Sequence, residues 1–305
     1  YIMSIIYVFP HNFWPGFVEG TDPVSLPFFI NLLSRVFKQP VLYTDNMQQA
    51  NVLLESIGFH GEGSVAEHKY WDYKILFSGE SRLCVDAHLY DCILWGTKTD
   101  IQNKMVCCPL FIPYMSSSKA IEKIIQMDST KKTEIPPYSK ILAVISNPCG
   151  EVRNYLLNIL EQYFTVEYAG NYRLNRPRIT DNYYSEDFWK EASKYRCIIT
   201  MENSCMTDYL TEKITHGFAS GNVPIYWGAT NVSNYFNKDR FIQIQDLNQE
   251  NIYAWINQIS KIMKNDQDYL EMVNSPIFAN GQHGNEFMEQ HIDKIVEDIR
   301  KVLSI

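Results

Sequence analysis

Residues 197–228 read CIITMENSCMTDYLTEKITHGFASGNVPIYWG and predict how the second half of the chain folds. The runs 197–201 and 223–227 are short and apolar, as expected of buried strands. Between them, apolar residues at helical spacing over 209–220 predict a helix that ends at Gly221, where a left-handed conformation favours glycine. A strand, a helix and a second strand in this order form one unit of a parallel sheet. We therefore expect an α/β architecture.

The same alternation of strands and helices continues on both sides of this segment. Further strands are predicted at 3–9, 50–56, 73–77, 91–95, 141–145 and 241–244. Further helices are predicted at 27–37, 120–127, 152–164, 249–264 and 285–303. Two successive runs of this kind predict two Rossmann-like α/β domains that face each other across a cleft.

A change of composition separates the two runs. Polar residues over 128–139 include a pair of prolines and are typical of a linker between domains. We expect an N-terminal α/β domain over 1–127, a linker over 128–139 and a C-terminal α/β domain over 140–305. The last helix of the chain can pack back on the first domain.

Composition excludes several classes of protein. With 305 residues and a formal net charge of −8, the chain is not built to attract nucleic acid or an anionic membrane. No apolar run is long enough to span a bilayer. Its 7 cysteines contain no CxxC pair, which favours mainly buried free thiols in a reducing compartment. We expect a cytoplasmic protein.

The loop that follows the strand at 197–201 is the candidate binding site. In open α/β sheets, ligands bind beyond the carboxyl ends of the strands. A helix that begins near Asp208 would direct backbone N–H groups at an anionic ligand. Lys213 adds a positive charge for a phosphate, and Glu212 can accept hydrogen bonds from sugar hydroxyls. On spacing alone, the alternative is a surface helix that merely carries a Glu and a Lys.

Three short motifs then suggest a family. The runs 202–204 (ENS), 209–213 (YLTEK) and 224–228 (PIYWG) closely resemble the signature of glycosyltransferase family 10, the α1,3/1,4-fucosyltransferases. Upstream, the run 146–148 followed by Arg153 is similar to the element whose Arg contacts the donor diphosphate.

The resemblance implies a fold of the GT-B type and GDP-fucose as the donor substrate. It also implies that 1–127 is the acceptor-side domain and that 140–305 binds the nucleotide-sugar donor. Lumenal Golgi-type anchoring, which occurs in the family, stays open if an upstream segment has been removed. The resemblance further implies five donor-binding residues: Arg153, Asn203, Tyr209, Glu212 and Lys213.

The first domain resembles the family more thinly. Glu80 lies where the family has a strand that ends in the general base, and a carboxylate at a strand end is suited to take a proton from an acceptor hydroxyl. The resemblance implies inversion of the anomeric carbon in one displacement. Arg153, Lys213 and the helix dipole would stabilise the departing diphosphate as a metal does in other transferases, so no metal cofactor is expected. The Asp-x-Asp pair Asp266 and Asp268 is predicted to be a solvated helix terminus rather than a metal site.

One segment departs from the family pattern and leaves alternatives open. Residues 95–113 contain no Arg where the family usually has an Arg-rich stretch. This segment borders the acceptor side, so the acceptor glycan is not fixed. The function is expected to be fucosyl transfer from GDP-fucose to a glycan hydroxyl, with no nucleic acid or membrane segment involved. The alternatives are another GDP-deoxyhexose as donor, or a binding protein for carbohydrate or nucleotide-sugar without turnover.

Overall fold

The computed structural model describes residues 5–57, 63–82, 86–97, 103–117, 119–180 and 182–305. The chain divides into two compact units. Unit 1 comprises Tyr1–Ser118 and Met288–Ile305, and unit 2 comprises Lys119–Phe287. The boundary at 118/119 precedes the segment expected to be the linker, and the expected domain limits stay a prediction.

Unit 1 is built on a parallel sheet. Its described strands, in the spatial order β2-β1-β3-β4-β5-β6, all pair in parallel. They are β1 (Ile6–His11), β2 (Val41–Tyr43), β3 (Val52–Ser56), β4 (Tyr73–Ser78), β5 (Cys92–Trp95) and β6 (Met105–Cys107). Every residue of β3 and β5 is buried, as expected of strands covered on both faces.

Helices cover the sheet of unit 1. The helices α1 (Leu26–Phe37) and α2 (Phe111–Ser117) belong to it, together with the greater part of α9 (Gly284–Leu303). Pro27 lies in the first turn of α1, where proline is tolerated, and Lys38 ends the helix in a left-handed conformation. From α9, Glu289 pairs with Arg35 at 3.2 Å. The C-terminal helix therefore packs on α1.

Unit 2 contains a second parallel sheet, in the order β11-β10-β9-β7-β8 among its described residues. The strands are β7 (Tyr138–Ala143), β8 (Val166–Tyr168), β9 (Tyr195–Ile199), β10 (Val223–Tyr226) and β11 (Ile242–Gln243). The helices are α3 (Ala120–Ser129), α4 (Glu151–Tyr163), α5 (Glu186–Ala192), α6 (Lys213–Ala219), α7 (Gln249–Lys264) and α8 (Asp266–Val273). A core of aliphatic and aromatic side chains from these strands, α4, α7 and α8 holds the unit together.

One predicted helix begins later than expected. The sequence pattern predicts a helix over 209–220 that starts near Asp208, whereas α6 starts at Lys213. Asp208 has a positive φ of 62°, and its Oδ1 accepts hydrogen bonds from Asn231 and from the Tyr235 hydroxyl, each at 2.6 Å. The two hydrogen bonds hold Asp208 in this left-handed conformation. Because a residue in the left-handed region cannot continue a right-handed helix, α6 begins only after it.

The structure also bears on the expected burial of the cysteines and on membrane-spanning helices. The described free thiols of Cys92, Cys108 and Cys197 are buried, whereas those of Cys149 and Cys205 are exposed. Among the described helices, none combines the length and the apolar character needed to cross a membrane. The cellular compartment stays a prediction.

Candidate functional site

A cavity of about 220 Å³ lies in unit 2 at the carboxyl ends of β7 and β9. This is the edge of a parallel sheet at which ligands are expected to bind. Its walls come from 144–147 after β7, from 198–203 at and after β9, and from the first turn of α6. Polar side chains are concentrated in it: Asn147, Arg153, Asn203, Glu212, Lys213 and His216. We call this space the strand-end cavity.

Arg153 is the cation held most firmly in the strand-end cavity. It lies in the first turn of α4 and is only 2% exposed. Its guanidinium donates to the backbone oxygens of Asn147 and Cys149 and to Oδ1 of Asn203. Burial lowers the pKa of Arg153 below its usual value. Within the described ranges, no carboxylate lies within ion-pair distance of this guanidinium.

Gly150 allows the loop before α4 to close on this arginine. Its φ is +107°, a conformation that side-chain-bearing residues rarely adopt. A Cβ at this position would also lie 3.2 Å from the backbone oxygen of Asn203 and 3.6 Å from Cβ of Arg153. Glycine therefore lets the loop approach both residues.

Lys213 is held by a buried carboxylate that we did not predict as part of the site. Glu202 is fully buried, and its Oε2 accepts from Nζ of Lys213 at 3.0 Å. The same carboxylate accepts from the backbone N–H and the hydroxyl of Thr211, at 2.8 Å each. These bonds fix the chain just before α6. The Glu in the motif ENS is the sequence signal that could have indicated this role.

The ion pair sets the protonation of its members. Burial raises the pKa of Glu202, and the ammonium group of Lys213 partly offsets that effect. Burial alone would lower the pKa of Lys213, but the carboxylates of Glu202 and Glu212 raise it. For Glu212, burial acts to raise the pKa, while Lys213 and His216 lower it to a net depressed value. Lys213 is therefore protonated and Glu212 ionised at neutral pH.

His216 also lines the strand-end cavity and was not among the predicted site residues. It lies one turn into α6, and its ring contacts those of Tyr184, Tyr183 and Phe188 with centroids 5.0, 5.5 and 5.9 Å away. Its buried Nε2 has no hydrogen-bond partner among the described residues. Burial lowers the pKa of His216 to about 4, so the ring is neutral at pH 7. Nothing in the motif itself distinguishes it from a core residue of the helix.

This histidine should make stability depend on pH. Since the unfolded chain binds a proton near pH 6.5 and folded His216 only near 4, stability is lost as pH falls through that window. We expect the free energy of unfolding to fall by about 2 kcal/mol between pH 7 and pH 5 on this account. His216→Phe should remove that part of the loss, as measured by urea unfolding at both pH values. The control His68→Phe, at an exposed position, should leave the loss of stability unchanged. Equal pH dependence of stability in wild type and His216→Phe would refute the assignment.

The structure places the predicted donor-side residues together with one exception. Arg153, Asn203, Glu212 and Lys213 all line the strand-end cavity. Tyr209 is 3% exposed and does not line it. Its role at the donor stays a prediction.

Glu80 lines a different cavity, in unit 1. It follows β4 and is exposed, with Trp14, Arg82 and Tyr114 on the walls of a space of about 500 Å³. Its backbone is fixed because the carbonyl accepts from the indole N–H of Trp95 at 2.8 Å. A rigid backbone with a carboxylate open to solvent is suited to a general base.

Asp266 and Asp268, the Asp-x-Asp pair, form ion pairs at the start of α8. It begins α8 rather than ending a helix, because Asn265 caps the new helix by accepting from the backbone N–H of Gln267 and Asp268. Asp266 pairs with Arg196, and Asp268 pairs with Lys261 at 2.8 Å. Over the described part of the chain, no group of three or more His, Cys, Asp or Glu side chains could hold a metal ion.

Comparison with known proteins supports the family resemblance that the motifs suggested. Residues 136–274 match the family model described as glycosyltransferase family 10 (fucosyltransferase) C-term, which confirms the resemblance over that range. Fucosyltransferase R654 of Acanthamoeba polyphaga mimivirus, so named from its sequence, is 25% identical over 72% of this chain and 36% of its own length. GDP-fucose protein O-fucosyltransferase 3 of Xenopus tropicalis is 28% identical over 56% of this chain and 38% of its own length. The chain thus spans less than two fifths of these curated relatives.

Solved structures extend the comparison to nearly the whole chain. A crystal structure of an alpha1,3-fucosyltransferase with GDP covers 97% of this chain, and the match covers 91% of that structure, with 17% identity and a TM-score of 0.66. The same kind of enzyme with GDP-fucose matches with a TM-score of 0.65 and 16% identity, over 96% of this chain and 90% of the other. These matches confirm the predicted fold class, two Rossmann-like α/β domains of the GT-B type.

Proposed function

Because residues 136–274 belong to the C-terminal domain of glycosyltransferase family 10, we propose that the protein transfers fucose from GDP-fucose to a hydroxyl group of a glycan. One observation carries the proposal. The cavity at the strand ends of the matched domain contains Arg153, a buried cation without a carboxylate partner among the described residues. A diphosphate supplies the charge and the oxygen acceptors that a guanidinium binds best.

We assign the other cavity residues by their chemistry. Lys213 adds a positive charge that Glu202 already compensates, so it positions the donor more than it neutralises it. Glu212 is an ionised acceptor beside Lys213, suited to bind hydroxyl groups of ribose or fucose. Asn203 shares its side-chain oxygen with Arg153 and keeps its amide N–H groups for the ligand.

The proposed reaction is a single displacement at the anomeric carbon. The acceptor oxygen forms a bond to that carbon while the bond to the β-phosphate oxygen breaks, and the electron pair leaves with GDP. Glu80 takes the proton of the acceptor hydroxyl. Arg153 stabilises the charge that grows on the diphosphate, and Lys213 keeps the diphosphate in position. Attack opposite the leaving group inverts the anomeric configuration, and the side-chain cations make a metal cofactor unnecessary.

The acceptor is proposed only as a class. Curated relatives include an alpha-(1,3)-fucosyltransferase of Helicobacter pylori and the protein O-fucosyltransferase of Xenopus tropicalis. An acceptor screen should therefore hold galactose- and N-acetylglucosamine-containing glycans and also peptides with Ser or Thr. GDP-mannose belongs among the donors, since the cavity residues address mainly the nucleotide.

Arg153→Gln tests the donor site directly. Loss of charge-assisted hydrogen bonds should weaken GDP binding by about ten- to a hundredfold, measured by isothermal titration calorimetry. Arg173→Gln is the matched control, because Arg173 pairs with Glu161 outside the strand-end cavity. Equal GDP affinity in wild type and a folded Arg153→Gln variant would remove the diphosphate from this cavity. Tighter binding of UDP than of GDP would remove the guanosine donor.

A further inference from the structure

Unit 2 contains a second cavity, which shares no lining residue with the strand-end cavity. It has a volume of about 610 Å³ and lies among α3, α5 and the residues that follow α6. We call it the α3–α5 cavity. Its lining includes apolar side chains from Met127, Trp189 and Val273 and basic side chains from Lys132, Lys190 and Arg240.

Two of its cations lack an ion pair among the described residues: Arg240, which is 1% exposed, and Lys132, which is half-buried. Lys132 donates to the backbone oxygen of Gly221 at 2.9 Å, and Arg240 donates to that of Asn222 at 2.7 Å. No carboxylate of the described residues lies within ion-pair distance of either group. Burial lowers the pKa of Lys132 to about 8 and that of Arg240 to about 10, and in Lys132 the charge of Arg240 adds to the effect. The cavity thus holds two cations on which carboxylates, Glu134 for Lys132 and Asp128 for Arg240, act only from beyond ion-pair distance.

Two N–H donors on the wall also lack partners. Nε of Arg240, a residue 1% exposed, and Nε1 of Trp189, a residue 4% exposed, are buried and donate to no acceptor among the described residues. Buried donors are rarely left unsatisfied, because a buried N–H group without an acceptor loses its hydrogen bonds to water and gains none in return. A purely structural role explains the two carbonyl contacts after α6, where cations are favoured near a helix C-terminus. It does not explain the remaining donors or the open volume beside them.

We propose that the α3–α5 cavity binds a small organic anion, with its phosphate or carboxylate group on Lys132 and Arg240. The apolar body of the ligand packs on Met127, Trp189 and Val273. Glu186 and Asp187 also line the cavity, and Glu186 pairs with Lys123 at 3.6 Å. These carboxylates repel a ligand with several negative charges. A ligand with a single anionic group on an apolar body therefore fits best.

Calorimetric titration with phenyl phosphate tests the site without knowledge of the natural ligand. Wild type should bind it saturably and more tightly than inorganic phosphate, since only the ester offers a ring. Lys132→Gln should weaken binding by about tenfold, the effect of one lost charge-assisted hydrogen bond. Lys131→Gln, an exposed neighbour of the same charge, should leave it unchanged. Arg153→Gln should also leave it unchanged, and loss of binding in that variant instead of Lys132→Gln would overturn the proposal.

A second measurement uses the wild-type protein and does not depend on how Lys132→Gln folds. The indole N–H resonance of Trp189, assigned by its absence in Trp189→Phe, should shift as phenyl phosphate is added. A Trp189 resonance that stays in place at saturation would place the ligand elsewhere and overturn the proposal. No saturable binding of either phosphate compound would overturn it as well.

Discussion

Glu80→Gln is expected to lower the turnover number for fucosyl transfer by about 10²- to 10⁴-fold, the range for removal of a general base. The substitution keeps the size and hydrogen-bonding capacity of the side chain and removes its ability to take a proton. Because Glu80 is exposed and its backbone is held by Trp95, the folded state should not change. The measurement is the initial rate of GDP release from GDP-fucose at saturating acceptor.

The binding of the donor separates a lost base from a damaged enzyme. GDP should bind Glu80→Gln as tightly as wild type, since Glu80 lies in unit 1 and the strand-end cavity in unit 2. Glu67→Gln, an exposed substitution of the same kind, should retain the wild-type rate. A Glu80→Gln rate within a few-fold of wild type would remove Glu80 as the base and leave the donor assignments untouched.

Lys213→Met is expected to have the largest effect on stability. It leaves the buried carboxylate of Glu202 without its cation, and breaking a buried ion pair typically costs about 3–5 kcal/mol. The side chain of Lys213 is 26% exposed, so we expect a loss near the lower end, about 3 kcal/mol. Chemical denaturation at pH 7 measures it, and GDP affinity should fall in the same variant.

A second substitution should reverse the loss of stability without restoring function. In the double variant Glu202→Gln/Lys213→Met, the buried charge of Glu202 is removed together with its cation, and the amide oxygen of Gln can still accept from the backbone N–H of Thr211. Most of the lost stability should return, while GDP binding stays weak. No recovery in the double variant would show that Lys213 stabilises the fold through contacts other than Glu202.

The pH dependence of Lys213→Met has a defined sign. Without Lys213, the pKa of Glu202 rises further above that of the unfolded chain, because burial is no longer offset. A Glu in the unfolded chain has a pKa of about 4.3. Stability is therefore lost as pH rises from that value through the raised pKa of Glu202 in the folded protein. The deficit relative to wild type should therefore be larger at pH 8 than at pH 5.

Much of the donor-side arrangement could be predicted from the sequence. Strands end at a common edge of a parallel sheet, so residues that follow two such strands must lie close together. This argument placed the loop after 197–201 and Lys213 at one site, and the family resemblance added Arg153 and Asn203. The structure brings all of them to one cavity. Family resemblance added their expected roles, which spacing alone left open.

Features that depend on tertiary contacts could not be predicted in this way. The late start of α6 depends on bonds from Asp208 to Asn231 and Tyr235, which are distant in sequence. The strands β2, β6 and β8 have three residues each, too few to show a period. His216 looks like any polar residue of a helix until the aromatic rings around it are seen.

The most direct test of the central claim is to incubate the protein with GDP-fucose and the acceptor panel and to determine the product by mass spectrometry and NMR. The account predicts acceptor-dependent release of GDP and a fucosylated product whose anomeric configuration is opposite to that of the donor. A product with retained configuration would contradict the single displacement. GDP bound in the strand-end cavity with no sugar transferred to any acceptor would contradict fucosyl transfer itself.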